Sequence, residues 1–441
     1  MTAPTSTETL ADTLHGRLLR PGDDAFARAA TPWNLAVRQR VDAVVEAADA
    51  DDVAATVRFA RAAGHAVAAQ STGHGATGEA DGTILLRTGR LDHVEVDRAA
   101  RVARVGAGAR WADVQAAAAP HGLTGLLGSA PGVGVAGYTL GGGLGWFSRV
   151  FGLAADHVRS IDVVDAEGTP RTVDATRDPD LFWALRGAGG DLAVVTALEL
   201  GLEPVPAFAG GRTVWPARRA GEVLAVYREV TAAAPRELSL WLSRVEAPGA
   251  PAVVVLHAAF LGDAATARDL LSPFAAVGDA VAHEIGPVAL DAVGGITADP
   301  TDPAAGRSRA ELLTGVDSGA VEHLFTSPVA PLLMLQLRHL GGALAEPGPG
   351  AGALGAVTEP YLLYGFGLAF EPGISTAVGD RLARLTHDLD GVASGRKPVT
   401  FLAPGERAAA AFDAPTLARL QDLKRARDPQ GTVRGNHPLL G

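Results

Sequence analysis

The run Gln70-Ser71-Thr72-Gly73-His74-Gly75 places two hydroxyl side chains, two glycines and one imidazole in a single turn. A histidine set between glycines is poorly placed for core packing and well placed to offer its ring to a ligand. The run follows Ala66-Val67-Ala68-Ala69, which reads as a short buried strand. Small residues after such a strand let successive backbone N–H groups converge on an anion, such as the phosphates of a dinucleotide. A second run, from Gly128 to Trp146, carries Gly128, Gly132, Gly134, Gly137, Gly141, Gly142, Gly143 and Gly145. Two such segments flanking strands favour a large, planar, phosphate-bearing ligand, because glycines admit close backbone approach and a flat ring needs an unobstructed wall. No Gly-x-Gly-x-x-Gly opens a helix within a βαβ unit, so dinucleotide binding by a helix dipole is disfavoured.

Polar groups with possible substrate roles lie further along. Leu332 to His339 and Tyr361 to Phe370 read as strands. A period of two puts Gln336 and Arg338 on one face and Leu337 and His339 on the other, and it sends Tyr361 and Tyr364 to opposite faces. Gln336, His339 and Tyr364 are the candidate catalytic residues. Exposure at a sheet edge accounts for such polar groups nearly as well.

Composition removes several classes of function. A net charge of −11 argues against a nucleic-acid surface, which needs a basic stripe. With no cysteine, disulfides, thiolate catalysis and Cys-ligated metals are excluded. The only lysines, Lys397 and Lys424, sit in no P-loop. Twelve histidines show no tight ligand spacing, so no metal is expected. No apolar run approaches the roughly 20 residues that span a bilayer, and Met1 to Glu8 has neither a basic nor an apolar leader region. A membrane is therefore not expected as partner, and a cytoplasmic location is the default expectation.

The elements that must position these residues fall into an α+β pattern. At 441 residues the chain exceeds one core, and two domains are expected. Strand signals at Val41–Val45, Thr83–Leu86, Val94–Val96 and Ala103–Val105 surround helices Val53–Ala63 and Trp111–Ala119. A hairpin follows around Glu167-Gly168, then helix Pro179–Leu185 and strand Val194–Leu200. A composition shift at Pro204-Val205-Pro206 marks a boundary. The first domain is thus residues 1–205, with a core of about 37–205. Residues 206–400 alternate helix Ala220–Ala234 and helix Ala264–Leu271 with strands, and read as an antiparallel sheet with helices on one face. Residues 401–441, with helix Thr416–Ala426, return to the first domain.

Taken together, these motifs resemble the FAD-linked oxidoreductases of the vanillyl-alcohol oxidase / p-cresol methylhydroxylase superfamily, in the berberine-bridge-enzyme-like branch. Family members carry Arg-Ser-Gly-Gly-His-Ser where this chain has residues 70–75. Their Gly-Gly-Gly-x-Gly and Gly-Leu-x-x-Asp segments match Gly141–Gly145 and Gly152–Asp156, and Asp180–Thr196 follows a family stretch except at Asp191, Leu192 and Ala193. The ending Arg427-Asp428-Pro429 … Val433-Arg434-Gly435-Asn436 fits as well. The resemblance implies a two-part FAD-binding domain of the p-cresol methylhydroxylase type plus a substrate domain. It implies FAD held by Ser71, Thr72, Gly73, His74 and Gly75, by Gly128, Gly134, Gly137, Gly141, Gly142, Gly143 and Gly145 with Val133 and Asp156, by Val194 and Val195 near the adenosine half, and by Asn436.

It further implies a covalent bond from His74 to the flavin. A second bond through cysteine is impossible, since Ala130 stands at that position in Gly128-Ser129-Ala130-Pro131. Val133 matches a residue that borders the oxygen-reactive flavin carbon in oxygen-using relatives. The implied activity is an oxidase that takes hydride from an alcohol, sugar or amine to flavin N5 and passes electrons to O2. A flavin-bearing binding or cyclase-like protein, or a dehydrogenase with another acceptor, are the alternatives. Family oxidases often use a tyrosinate near an Asn-Tyr segment, which here reads Val399-Thr400-Phe401. The base is then Tyr361, Tyr364 or His339, or an amine substrate needs none.

Overall fold

The computed structural model describes residues 7–440. Strands Arg17–Leu19, Ala43–Glu46, Thr83–Arg87 and Ala66–Gln70 form a four-stranded sheet in that spatial order. The last three are parallel. Helix Ala50–Ala63 makes the crossover between two of them. Asp49 caps its first turn by accepting from Asp51 N and Asp52 N, and Gly64 ends it in the left-handed region. The helix buries Val53, Val57 and Ala60 with Val45, Val67 and Leu86.

A second, antiparallel sheet runs in the order Val94–Asp97, Val102–Gly106, Val194–Gly201, Val158–Val164 and Pro170–Asp174. Between these two sheets the chain leaves the turn that follows Gln70. Helix Trp111–Ala118 and the short helix Val135–Leu140 pack on the second sheet through Val114, Val135 and Leu140.

The α+β class expected from the short strands holds, and the antiparallel sheet backed by helices is present. Its seven strands run Ala282–Pro287, Ala209–Pro216, Val253–Phe260, Leu238–Val245, Met334–His339, Tyr361–Leu368 and Gly306–Leu313. Helices Ala220–Ala233, Gly319–Thr326 and Pro372–Asp388 cover one face, where Leu224, Phe325 and Leu382 meet Leu240, Leu337 and Leu363. The opposite face joins the core of the first unit, with Trp241, Ala310 and Leu362 in one cluster with Leu140, Trp146 and Phe147.

Two of the seven strands, Ala209–Pro216 and Gly306–Leu313, carry no readable alternation. Gly210-Gly211-Arg212 and Gly306-Arg307-Ser308-Arg309 break the apolar period, and only pairing in the ladder makes them strands. Helix Ala414–Arg427 leads the chain back to the first sheet. There Val433 bridges Val67 in parallel, with Val67 N donating to Thr432 O (2.7 Å) and Arg434 N to Val67 O (2.9 Å).

Candidate cofactor and substrate site

The first wall is the turn 71–75. Gly73 sits at φ 82, and a Cβ there would lie 2.7 Å from Pro32 Cβ, so the backbone admits no side chain. Trp33 N donates to Thr72 O (3.0 Å), and the Trp33 ring stacks on His74 at 4.1 Å. His74 Nδ1 lies 2.8 Å from Thr72 Oγ1. Burial, with a smaller contribution from the nearby Arg110 charge, pushes the His74 imidazole down to about 4. It is therefore neutral and nucleophilic at neutral pH.

From beneath, Arg87 braces the turn. It donates to Gln70 Oε1 (2.6 Å) and Ser71 O (3.3 Å), while its other nitrogens reach Ala29 O and Thr31 O. No motif marks Arg87, because its role depends on four partners scattered along the chain. The tail closes the far side: Asn436 Nδ2 donates to Gly75 O (2.7 Å), and Thr77 Oγ1 donates to Asn436 O (2.8 Å). Asp191, one of the family departures, fixes that tail by accepting from Gly435 N (2.8 Å) and Leu439 N (3.0 Å).

The second wall is the loop 128–134 with the helix after it. Pro131 O and Val133 O accept from Ala112 N (2.8 Å) and Trp111 N (3.0 Å), so the loop caps the start of the preceding helix Trp111–Ala118 with its own carbonyls. A Cβ on Gly134 would come within 3.0 Å of Ser71 Oγ, which is where the two walls meet. Gly137 is exposed and has nothing within 4 Å of a built Cβ, leaving a bare surface on an otherwise buried helix.

Gly141, Gly142, Gly143 and Gly145 differ. All four are buried, and the space their side chains would fill is taken by Thr400, Leu354, Tyr138 with Ala154, and Leu127. Gly128 likewise leaves room for Tyr138. In this structure these five glycines serve close packing of protein on protein. Their residue type predicts a close approach without saying what approaches. Val194 and Val195 are also buried, with side chains in the two cores of the first unit. Asp156 accepts from Gly352 N (3.2 Å), and burial raises its carboxyl above the usual range.

The candidate substrate side is the face of the seven-stranded sheet away from its helices, where it meets the first unit. Register pairs Trp241 with Arg338 and Gln336 with Tyr364, so these four side chains share a face. Arg338 lies 4.0 Å over the Trp241 ring, with Tyr364 and Phe401 at 5.3 and 5.5 Å. Its Nε donates to Gln336 Oε1 (2.7 Å), and Gln336 Nε2 donates to Ser243 Oγ (2.9 Å). Trp241 stacks on Trp146 of the first unit at 3.7 Å, and Phe401 adjoins the Thr400 that fills Gly141. Tyr138, Thr139 and Thr400 carry buried hydroxyls with no partner near this junction.

His339 stands on the opposite face. It stacks on Tyr361 (5.7 Å) and takes a hydrogen bond from Arg149 Nη1 (2.8 Å), while Tyr361 OH bonds Thr231 Oγ1 (2.7 Å). The pleat separates both from Gln336, Arg338 and Tyr364. The period of two placed Arg338 on the same face as Gln336, and no role was read for it. Trp241 and the buried His257, which stand opposite each other in the ladder and so share this face, had no signal at all.

Among the described residues, His15, Asp49 and Asp52 form one group of metal-ligand size. Its oxygens are already used: Asp49 caps helix Ala50–Ala63, and Asp52 accepts from His15 N, Gly16 N and Ala48 N.

This geometry fits a cofactor with a phosphate chain and a flat ring. Two walls of bare backbone converge, an imidazole lies on one of them, and unpartnered buried hydroxyls remain at the junction with the second sheet. Comparison with known proteins agrees. Residues 41–174 match the family model described as FAD binding domain. The chain is 34% identical over 195 residues to (R)-6-hydroxynicotine oxidase of Paenarthrobacter nicotinovorans, covering 44% of this chain and 43% of that protein. It is 35% identical over 176 residues to xylooligosaccharide oxidase of Thermothelomyces thermophilus, covering 38% and 35%. The matches thus span less than half the length of these curated relatives.

Along its whole length the fold is that of BBE-like 1 of Physcomitrella patens, with TM-score 0.87, 20% identity, and 98% and 99% of the two chains covered. 6-Hydroxy-D-nicotine oxidase of Arthrobacter nicotinovorans superposes with TM-score 0.83 at 24% identity, over 100% and 99%. The chain carries an FAD-binding domain of the p-cresol methylhydroxylase type. It is a relative of FAD-linked oxidoreductases, with the fold of the BBE-like flavoproteins.

Proposed function

We propose that this protein is an FAD-dependent oxidase of a small organic molecule, an alcohol, sugar or amine. The observation that carries the reading is a juxtaposition. The glycine-lined walls and the polar, aromatic face of the second sheet meet at Tyr138, Trp146 and Phe401. Bound FAD supplies the two-electron acceptor, and dioxygen removes the electrons as hydrogen peroxide.

The turn 71–75 and Gly134 would hold the phosphates, and Gly137 would leave a clear surface for the ring. His74 would supply the tether: its imidazole, neutral at physiological pH, would bond the flavin's methyl carbon in exchange for one C–H and one N–H, and the two electrons and two protons released would pass through the flavin to dioxygen. Val133 borders the approach of oxygen. On the substrate side, burial raises the Tyr364 phenol above its ordinary value, so it serves as a neutral hydrogen-bonding group and not as a tyrosinate. Burial pushes His257 down to about 4, leaving a weak base. That pattern favours an amine, whose neutral form releases hydride without prior deprotonation.

The test is anaerobic mixing with panels of amines, sugars and alcohols. An oxidase bleaches at 450 nm (roughly the flavin maximum, fixed by the cofactor's own electronics) and recolours in air with peroxide release. Bleaching without peroxide means another acceptor. A yellow protein that never bleaches contradicts the redox reading.

A further inference from the structure

We propose that Arg338 is an anion-recognition residue, and that the substrate carries a carboxylate beside an aromatic or apolar body. This names the substrate class of the site proposed above and rests on that reading.

Arg338 is only 8% exposed, yet among the described residues no carboxylate lies within ion-pair distance of it. Its Nε is satisfied by Gln336. Nη1 and Nη2 make no hydrogen bond to any described residue, although neither is sealed away from solvent. The other buried cations among the described residues each have a protein partner on an outer nitrogen: Arg149 and Arg186 meet no carboxylate but donate to backbone carbonyls, and three more meet carboxylates. Lys397 contacts Glu311 and Glu406, Lys424 contacts Asp428 and Asp191, and Arg244 contacts Glu246.

A guanidinium stays charged under all ordinary conditions, so burying one without an anion is costly unless a ligand brings the anion. The carboxylate whose charge acts on Arg338 is Asp299, which forms no ion pair with it and cannot neutralise it by contact. Meanwhile the group is held still. Trp241 lies under its plane, Tyr364 and Phe401 flank it, and Gln336, itself pinned by Ser243, fixes its rotation. A fork with one edge clamped and the other free offers two parallel N–H donors, the geometry that a carboxylate accepts bidentately. The aromatic surround supplies surface for an apolar body next to that carboxylate.

Calorimetric titration of the purified protein with benzoate, and with neutral benzamide of the same shape, tests this without needing turnover. Benzoate should bind at least about tenfold more tightly than benzamide, and Arg338→Gln should remove about 10- to 100-fold of the benzoate affinity and leave benzamide unchanged. Arg338→Lys should recover part of the loss. Asp299→Asn should tighten benzoate, an arm that remains should Arg338→Gln fail to fold.

Equal binding of the two probes by a yellow protein overturns the inference and leaves the flavin reading intact. So does a flavin potential shifted by Arg338→Gln with benzoate affinity unchanged, which would assign the charge to the cofactor. A colourless protein that still prefers benzoate through Arg338 supports the anion site while the flavin reading fails.

Discussion

At the scale of single residues, two glycines separate a packing role from a binding role. Gly73 combines φ 82 with a Cβ position 2.7 Å from Pro32, so Gly73→Ala should cost about 2 kcal/mol of stability and lose flavin with it. Gly137 has open space around it and sits in a helix. Gly137→Ala should therefore fold at least as well as the parent, gaining up to about 1 kcal/mol of helix propensity. It should nevertheless retain less flavin, because the new methyl stands on the bare wall. Melting curves and flavin content measured together check both, and a Gly137→Ala protein with full flavin would remove that surface from the cradle. The sequence alone could not make this distinction. Gly141, Gly142, Gly143 and Gly145 look more binding-competent than Gly137 in the motif, and in the fold they are filled by Thr400, Leu354, Tyr138 and Leu127.

The strands Met334–His339 and Tyr361–Leu368 show how an element sorts chemistry by parity. A period of two was enough to separate Gln336 and Arg338 from His339, and Tyr364 from Tyr361, because both stretches are regular over their central residues. It was not enough to say which face meets the first domain, since that depends on where the helices pack. Helices Gly319–Thr326 and Pro372–Asp388, unread in the sequence, cover the Tyr361 side. Tyr364→Phe should accordingly lower turnover with little change in melting temperature. Tyr361→Phe should leave turnover alone and cost about 1 kcal/mol, the price of its bond to Thr231. Steady-state rates and denaturant midpoints on the pair check this. A rate loss confined to Tyr361→Phe would reverse the assignment of faces.

Across the whole molecule, the two units are joined at Arg149. Its guanidinium donates to Leu238 O (2.8 Å), Pro235 O (3.1 Å) and Ala234 O (3.3 Å), contacts Leu340 O, and reaches His339 Nε2 (2.8 Å). Arg149→Ala strands several buried carbonyls and should destabilise by about 3 kcal/mol, resolving one calorimetric transition into two. Burial and the adjacent Arg149 charge push His339 down to about 3 from an ordinary 6.5. Between those values the unfolded chain takes up a proton that the folded chain refuses, so this group's contribution is present above pH 6.5 and is lost as pH falls toward 3. His339→Gln should lower the slope of stability against pH in that window by close to one proton, with turnover retained.

None of this clasp is visible in sequence, because its partners lie in two segments, 234–238 and 339–340, far along the chain from Arg149. The cofactor turn is visible, since its residues are contiguous. The account as a whole depends on that turn and the loop 128–134 closing around FAD. The most direct measurement is the absorbance of the purified protein before and after acid precipitation, for the parent and for His74→Ala. One flavin per chain should travel with the parent precipitate and wash out of the His74→Ala precipitate. A protein that is colourless as purified, and stays colourless after incubation with FAD, contradicts the account.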